Sequence, residues 1–589
     1  MSVQANSYPL PIAPQGLQAL VPCAHGPAGC PLAVDVPALA RALRAGDHDR
    51  AYRIARASNP FASTCGHGCH APCESACRRR SFGAPVAVAA LEAYATACSP
   101  PGTHASPEPC TSAHDARSVA GLLALSPAAA IAAPRSGHRV AVIGAGAAGL
   151  ACAHDLALLG HTCVVFDEAP EPGGLLTRGI PAFRFPVAAA RAECAAVLAM
   201  GVELNDRYRI EGSGDLRALL AGEFDAVFLA IGASHARDAM FPDQPEHAHV
   251  LDAWRVLGGE CPPTREAVVL GGGDIAADAA RVLRRAAAHS GALPPTVRLV
   301  LETTIEASPL APASLVAALD DGIDVRAGWS PTRYLVDERG ALVGVEIARR
   351  GDRTTMVLPC DLVVTAGARA PRAAPFAPEI ACDGQGAIVV DPDTLQTSMP
   401  RVWAGGACAF GHRSIAHAAA DGKRAAWSIH GALTGEPVRV AVASAWVEVD
   451  DWDPGRAERA LALPRVAPRP AVPPTDPFTP SGLRAADEMA AEGARCFDCT
   501  VVPVVDERCT SCGRCVRACP HGAFAIDGGS PPRLRLDQDA CTRCGVCVPS
   551  CPEGAIAMLR AVWESRLTTQ PEADATALED TLESATPAG

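Results

Sequence analysis

From Arg139 to about Ile429 the chain alternates short β-type apolar runs, glycine-rich turns and stretches with apolar residues at every third or fourth position. That alternation predicts strands and helices in turn, the pattern of doubly wound parallel sheets. Upstream, Val36–Ala57 has helical periodicity inside a cysteine-rich stretch, and a loose Ala/Ser/Pro segment follows to Ser136. Downstream, the proline-rich Leu461–Pro480 carries no periodicity and reads as a linker. The expected organisation is a helical domain at 1–115, a linker at 116–136, and a first nucleotide fold at 137–260 that resumes at 375–436. A second fold is inserted at 261–374, followed by a linker region at 437–500, a cysteine-rich module at 501–562 and a disordered acidic tail at 563–589.

At 589 residues the chain has room for three to five domains. Its net charge of −13 excludes a nucleic-acid binder, which would show a basic face. The N-terminus has neither a charged n-region nor an apolar h-region. The most apolar stretch, Val119–Ala133, is broken by Gly121, Ser126 and Pro127, so no membrane span is expected. Twenty-five cysteines cluster at ligand spacings. With no secretory signal, they read as reduced thiols in the cytoplasm.

Two runs repeat C-x2-C-x2-C-x3-C-P: Cys509, Cys512, Cys515, Cys519-Pro520 and Cys541, Cys544, Cys547, Cys551-Pro552. This is the bacterial two-cluster ferredoxin signature, in which three thiolates of one run and the fourth of the other hold each 4Fe–4S cube. Cys509, Cys512, Cys515 and Cys551 form one set, and Cys541, Cys544, Cys547 and Cys519 the other. Zinc takes four ligands, usually as two separated pairs, and has no use for the trailing proline.

Arg139-Val-Ala-Val-Ile-Gly144-Ala-Gly146-Ala-Ala-Gly149 is a strand, a tight turn and a helix start. Gly144 allows the turn, Gly146 lets the backbone approach a pyrophosphate, and Gly149 lets the helix pack on the strand. Asp167 ends the next strand at the distance where an acid bonds a ribose hydroxyl. A second copy runs through Gly271, Gly272, Gly273 and Asp274, with Ala276 at the close-packing position. Two such folds fit a flavin enzyme, one binding FAD and the inserted one a nicotinamide nucleotide; a ligand-free structural duplicate is the rival reading of the second copy.

The first fold continues Glu171-Pro-Gly173-Gly174-Leu-Leu-Thr-Arg178-Gly179-Ile180-Pro181-Ala-Phe-Arg184. Together with Ala404-Gly405-Gly406 and Asp421-Gly422-Lys423, this resembles the glutamate synthase small subunit family, which includes the N-terminal half of dihydropyrimidine dehydrogenase. The resemblance spans roughly residues 15–435. It implies flavin contacts at Gly174 and Gly406 and 4Fe–4S binding in the N-terminal helical domain. The matching residues there are Cys30, Cys65, Cys69, Cys73 and Cys77, with Cys23 nearby and Glu92 where relatives supply a Gln or Glu ligand. One or two clusters are expected, a zinc site being the plain alternative, because the family's upstream C-x2-C pair is missing.

Three positions depart from the family. Ala407 stands in place of an Asp that contacts the flavin, and Asp274 in place of an Asn. Glu302-Thr303 replaces the Arg-Arg that grips the 2′-phosphate of NADP. A carboxylate at 302 suits a free ribose 2′-OH and repels a 2′-phosphate. Arg281, Arg284 and Arg285 on the adjoining helix are candidate counter-charges.

The expected fold is multidomain α/β: a helical N-terminal iron–sulfur domain, two nested Rossmann-like domains and a C-terminal α+β bacterial ferredoxin-like domain. The expected function is an oxidoreductase subunit, with no catalytic acid or base. It would pass electrons from NAD(H), preferred over NADP(H), through FAD and the clusters to a larger oxidoreductase subunit or a ferredoxin, or in reverse. A non-catalytic relay with decayed nucleotide sites is the alternative. The pair Cys496-Phe-Asp-Cys499 reads as peripheral, with a redox dithiol as the minority reading.

Overall fold

The computed structural model describes residues 29–98, 135–436, 439–449, 456–466 and 485–568, less positions 33, 185, 234, 237–239, 242, 290–292, 350, 352–353, 368, 372, 529–533 and 538–539. Cys23, residues 116–134 of the expected first linker and the tail beyond 568 lie outside the described residues. Described residues fall into two compact units, 29–425 with 456–498 and 426–449 with 499–568. Among them, no helix is long and apolar enough to cross a membrane.

The first unit begins with the helices Val36–Arg44, His48–Ala57, Ala62–Gly68 and Val88–Ala97. Val36, Leu39, Ala40 and Leu43 recur at helical spacing and are buried. The Asp35 and Asp47 carboxylates accept the Ala38 and Arg50 amides at 2.9 and 3.0 Å, capping the first two helices.

Two all-parallel sheets follow. The first has the order Val402–Ala404, Ala226–Leu229, Arg139–Ile143, Thr162–Phe166, Glu203–Asn205. The second has the order Val250–Asp252, Leu362–Thr365, Glu266–Leu270, Thr296–Leu301, Asp324–Ala327. In each, the strand that leads into the glycine turn lies in the middle, leaving a crevice where the order reverses, the binding place of doubly wound folds. The chain passes from one fold to the other and back through the paired strands His235–Ala236 and Arg369–Ala370. The second fold therefore begins by Val250, before the expected boundary at 261. Its first strand is three residues long, too short to show periodicity.

The region 437–500 differs from the expected linker. Helix Ala486–Ala494 joins the N-terminal domain, where Met489 is fully buried in the same core as Leu39, Leu43 and Leu91. A Cβ on Gly493 would stand 2.7 Å from the Ala40 carbonyl oxygen, so only glycine permits that helix approach. Buried Glu492 accepts the Ala87 and Val466 amides, each at 2.8 Å, and pairs with Arg495. The proline-rich composition just upstream concealed this apolar face.

In the second unit, strands Arg439–Glu448, Ile556–Thr568 and Val501–Val505 form an antiparallel sheet with the long strand in the centre. The cysteine-rich module thus takes a strand from before 501, and its last strand runs past the expected limit at 562. Short helices Arg514–Ala518 and Cys547–Ser550 carry cysteines of the two runs.

Met489→Ala is expected to destabilise the helical domain by about 2–5 kcal/mol. Guanidinium unfolding followed by circular dichroism measures it, and no change would show this helix to be peripheral.

Candidate redox centres

In the flavin-type fold, Gly144 has φ +106°, and a Cβ there would lie 2.4 Å from the Ala230 oxygen. A Cβ on Gly149 would lie 1.9 Å from the Gly144 oxygen, so the helix Ala147–Leu158 packs on its strand only through glycine. At Gly146 nothing lies within 4 Å of such a Cβ, which leaves the backbone open to a pyrophosphate. Asp167 accepts the Ala145 amide at 2.6 Å and the Ala169 amide at 2.8 Å. It pins the turn, and its carboxylate oxygens keep lone pairs for a ribose hydroxyl. A Cβ on Gly174 would stand 3.1 Å from the Gly146 Cα, so the Pro-Gly-Gly loop closes tightly over the turn.

Asp421 was missed from sequence as a site residue. Its carboxylate accepts the Gly406 amide at 3.2 Å and pairs with Arg413. It brings an acid to the segment where Ala407 had removed one. The Asp-Gly-Lys run that carries it was visible, but only as a mark of resemblance. Burial raises the Asp421 carboxyl against the pull of Arg413.

In the nicotinamide-type fold, Gly271 has φ +149° and a Cβ there would meet the Ala366 oxygen at 2.4 Å. Gly273 is open, and Ala276 is buried at the packing position. Asp274 opens the helix Asp274–His289 and meets His70 Nε2 at 2.6 Å. Burial opposes its charge, yet hydrogen bonds from His70 and Ser314 hold the carboxyl down at about 2. The negative charge expected beside the pyrophosphate is thus matched by the N-terminal domain.

The candidate counter-charges are bound to other groups. Arg281 and Arg285 bind the Asp321 carboxylate and lie 4.4 and 4.6 Å over the Phe183 ring. Arg284 donates to the Asp321 and Pro295 carbonyls. Glu302 itself is exposed.

The N-terminal centre is built around helix Ala62–Gly68. Cys65 is hydrogen-bonded to the Cys69 sulfur, which also accepts from Ser414 and from the Ala416 amide. These bonds, Cys65 first, hold the Cys69 thiol down at about 6 against its burial. Burial and the Glu92 charge push Cys30 up to about 11, and the same two causes raise Cys73. Burial, then Cys69, pushes Glu92 up to about 8. Cys30, Cys65, Cys69, Cys73 and Glu92 therefore act on one another electrostatically, whereas the Cys77 charge is felt by Arg79. Ionising such a buried set takes positive charge, which a bound cluster supplies. The donor set fits one 4Fe–4S cluster.

In the C-terminal module Cys509, Cys512, Cys515 and Cys551 line one hollow. Cys519, Cys541, Cys544 and Cys547 line another. These are the two sets expected from the signature. Four thiolates lining one hollow suit a four-iron cube. Elsewhere burial pushes Cys163, Cys194, Cys360 and Cys408 up to about 12, leaving inert thiols.

Comparison with known proteins agrees with this geometry. The pyridine nucleotide-disulphide oxidoreductase model matches residues 138–422, the 4Fe-4S dicluster domain model 508–555, and the model for dihydropyrimidine dehydrogenase domain II, 4Fe-4S cluster, 19–100. The beta subunit of the NADP(+)-dependent formate dehydrogenase of Moorella thermoacetica is 30% identical over 520 residues, covering 82% of this chain and 70% of that protein. A PreT subunit homologue of NAD-dependent dihydropyrimidine dehydrogenase from Salmonella typhi is 26% identical, covering 69% and 90%. The NADPH glutamate synthase small chain of Escherichia coli (strain K12) is 29% identical, covering 50% and 68%.

Fold and sites together define an FAD- and iron–sulfur-dependent oxidoreductase. Within that class, the chain belongs to the glutamate synthase small subunit-like family of FAD- and NAD(P)-dependent iron–sulfur proteins.

Because a side chain at Gly146 meets no protein atom, Gly146→Val is expected to fold normally and lose FAD. Flavin absorbance per chain measures this; full retention would show that the flavin does not sit on this turn.

Proposed function

We propose that the chain is an electron-transfer flavoprotein subunit that takes electrons from NADH and delivers them, through FAD and its iron–sulfur clusters, to a larger oxidoreductase subunit or a ferredoxin. The same parts serve the reverse flow. The observation that carries this reading is the contact of Cys69 with Ser414 and Ala416, at the head of the helix Ile415–Thr434 that closes the flavin fold. A cluster held by Cys30, Cys69, Cys73 and Glu92 would lie against the flavin fold. When bound, FAD accepts a hydride and releases electrons singly to clusters. The chain's own part is to position: Gly146 and Gly273 leave room for phosphates, and His70 balances Asp274 at the second turn.

The preference for NADH rests on this chain's residues, since the names of its relatives include both nucleotides. Glu302 is exposed where a 2′-phosphate would approach, and the nearby arginines are committed to Asp321 and to carbonyls. Like charges at such range repel, less so under salt screening.

Anaerobic flavin reduction is expected to be faster with NADH by about tenfold or more, and Glu302→Arg to narrow the ratio. An equal or better NADPH rate in the wild type refutes the preference. Protein that purifies without flavin would instead favour a relay subunit with lapsed nucleotide sites. For the N-terminal centre, Cys69→Ser combined with Cys73→Ser should remove about four irons per chain from anaerobically reconstituted protein. Unchanged iron would show that centre to be empty.

A further inference from the structure

Cys496-Phe497-Asp498-Cys499 follows the helix Ala486–Ala494, which lies in the core of the N-terminal domain. Cys496 is buried at 6% exposure in the same cluster as Cys73, Cys98 and the partly buried Cys77. Three contacts fix the segment. Arg495 donates to the Ala84 and Pro85 carbonyls at 2.7 and 3.0 Å. The Phe497 ring packs edge-on against Phe82 at 5.7 Å, with Arg79 5.9 Å over it. Asp498, fully buried, accepts from Arg41 at 2.6 Å. Arg79 and Phe82 follow Cys77 closely, so this contact joins the chain beside Cys77 to the chain beside Cys496.

The backbone is more telling. Asp498 has φ +54°, a left-handed conformation that a non-glycine residue adopts only when its surroundings impose it. The ferredoxin signature has the same turn twice: in Cys509-Thr-Ser511-Cys512 and Cys541-Thr-Arg543-Cys544 the residue before the second cysteine has φ +52° and +63°. The sulfurs are treated alike as well. Cys496 Sγ accepts the Asp498 amide at 3.4 Å, as Cys519 and Cys551 accept those of Ala523 and Ala555 at 3.2 and 3.3 Å. Such N–H···S bonds favour cluster-bound sulfur and tune its potential. A redox dithiol gains its reactivity from a helix N-terminus; this pair comes after a helix C-terminus instead.

We propose that Cys496, in the core against which Cys77 packs, and Cys499 supply two thiolate ligands of a further 4Fe–4S cluster. The proposal rests on the electron-relay reading above and supplies, from beyond both nucleotide folds, the C-x2-C pair that the N-terminal sequence lacks.

The test is iron and zinc content, flavin content and the spin integral of the reduced protein by electron paramagnetic resonance, on the anaerobically reconstituted full chain. Wild type should hold about sixteen irons, four per cluster, and Cys496→Ser/Cys499→Ser about twelve with its flavin intact. Cys98→Ser, in the same core, should keep all of them. Unchanged iron in the double variant, or a zinc atom in wild type that the variant loses, overturns the proposal. If the double variant fails to fold, Asp498→Gly, which takes the left-handed turn freely, should keep about sixteen irons and Asp498→Val should lose about four. Full iron in Asp498→Val also overturns it. Should Cys73→Ser leave the iron unchanged while the Cys496/Cys499 variant loses its share, the Cys30 centre fails and this one stands.

Discussion

A buried carboxylate ties the iron–sulfur domain to the flavin fold. Glu193, on helix Val187–Leu198 of the flavin fold, accepts the Ser63 and Thr64 amides at 2.8 and 3.1 Å and the Thr64 hydroxyl at 2.7 Å. It also pairs with Arg56 at 3.1 Å. It thereby caps, from another domain, the helix that leads to Cys69. Removing one partner of such a buried pair costs about 3–5 kcal/mol, because the other charge is left without compensation.

The two nucleotide folds solve one packing problem twice. In each, the strand before the glycine turn lies third in the sheet, and its turn glycine takes a positive φ with a neighbouring carbonyl 2.4 Å from where a Cβ would sit. What differs is the charge around them. The first turn has its own Asp167, while the second begins a helix at Asp274, whose partner His70 adjoins Cys69 in the chain. The second site is therefore completed by a residue from outside its own fold.

Sequence made legible whatever depends on fixed spacing. Glycines at turn positions and eight cysteines in two runs each serve a local geometry, so their roles can be read without the fold. Contacts between distant segments left no such trace. Asp421 reaches Gly406 only because a later helix returns across the first sheet's edge. Arg281, Arg284 and Arg285 could not be told apart from phosphate ligands until their helix was seen to aim them at Asp321 and the Pro295 carbonyl. Helix Ala486–Ala494 was hidden by composition: prolines dominate the stretch before it, and its partners lie hundreds of residues upstream.

The strand Arg439–Glu448 has a different consequence. It pairs along its whole length with Ile556–Thr568, so the ferredoxin module is sewn to the chain at both its beginning and its end. A gene fragment ending near residue 500 would not merely lack two electron carriers. It would leave ten residues of unpaired strand edge, a template for joining one molecule to the next. Loss of the module in the course of gene rearrangement thus carries a penalty in solubility, and the ladder itself guards the covalent union of flavin and ferredoxin.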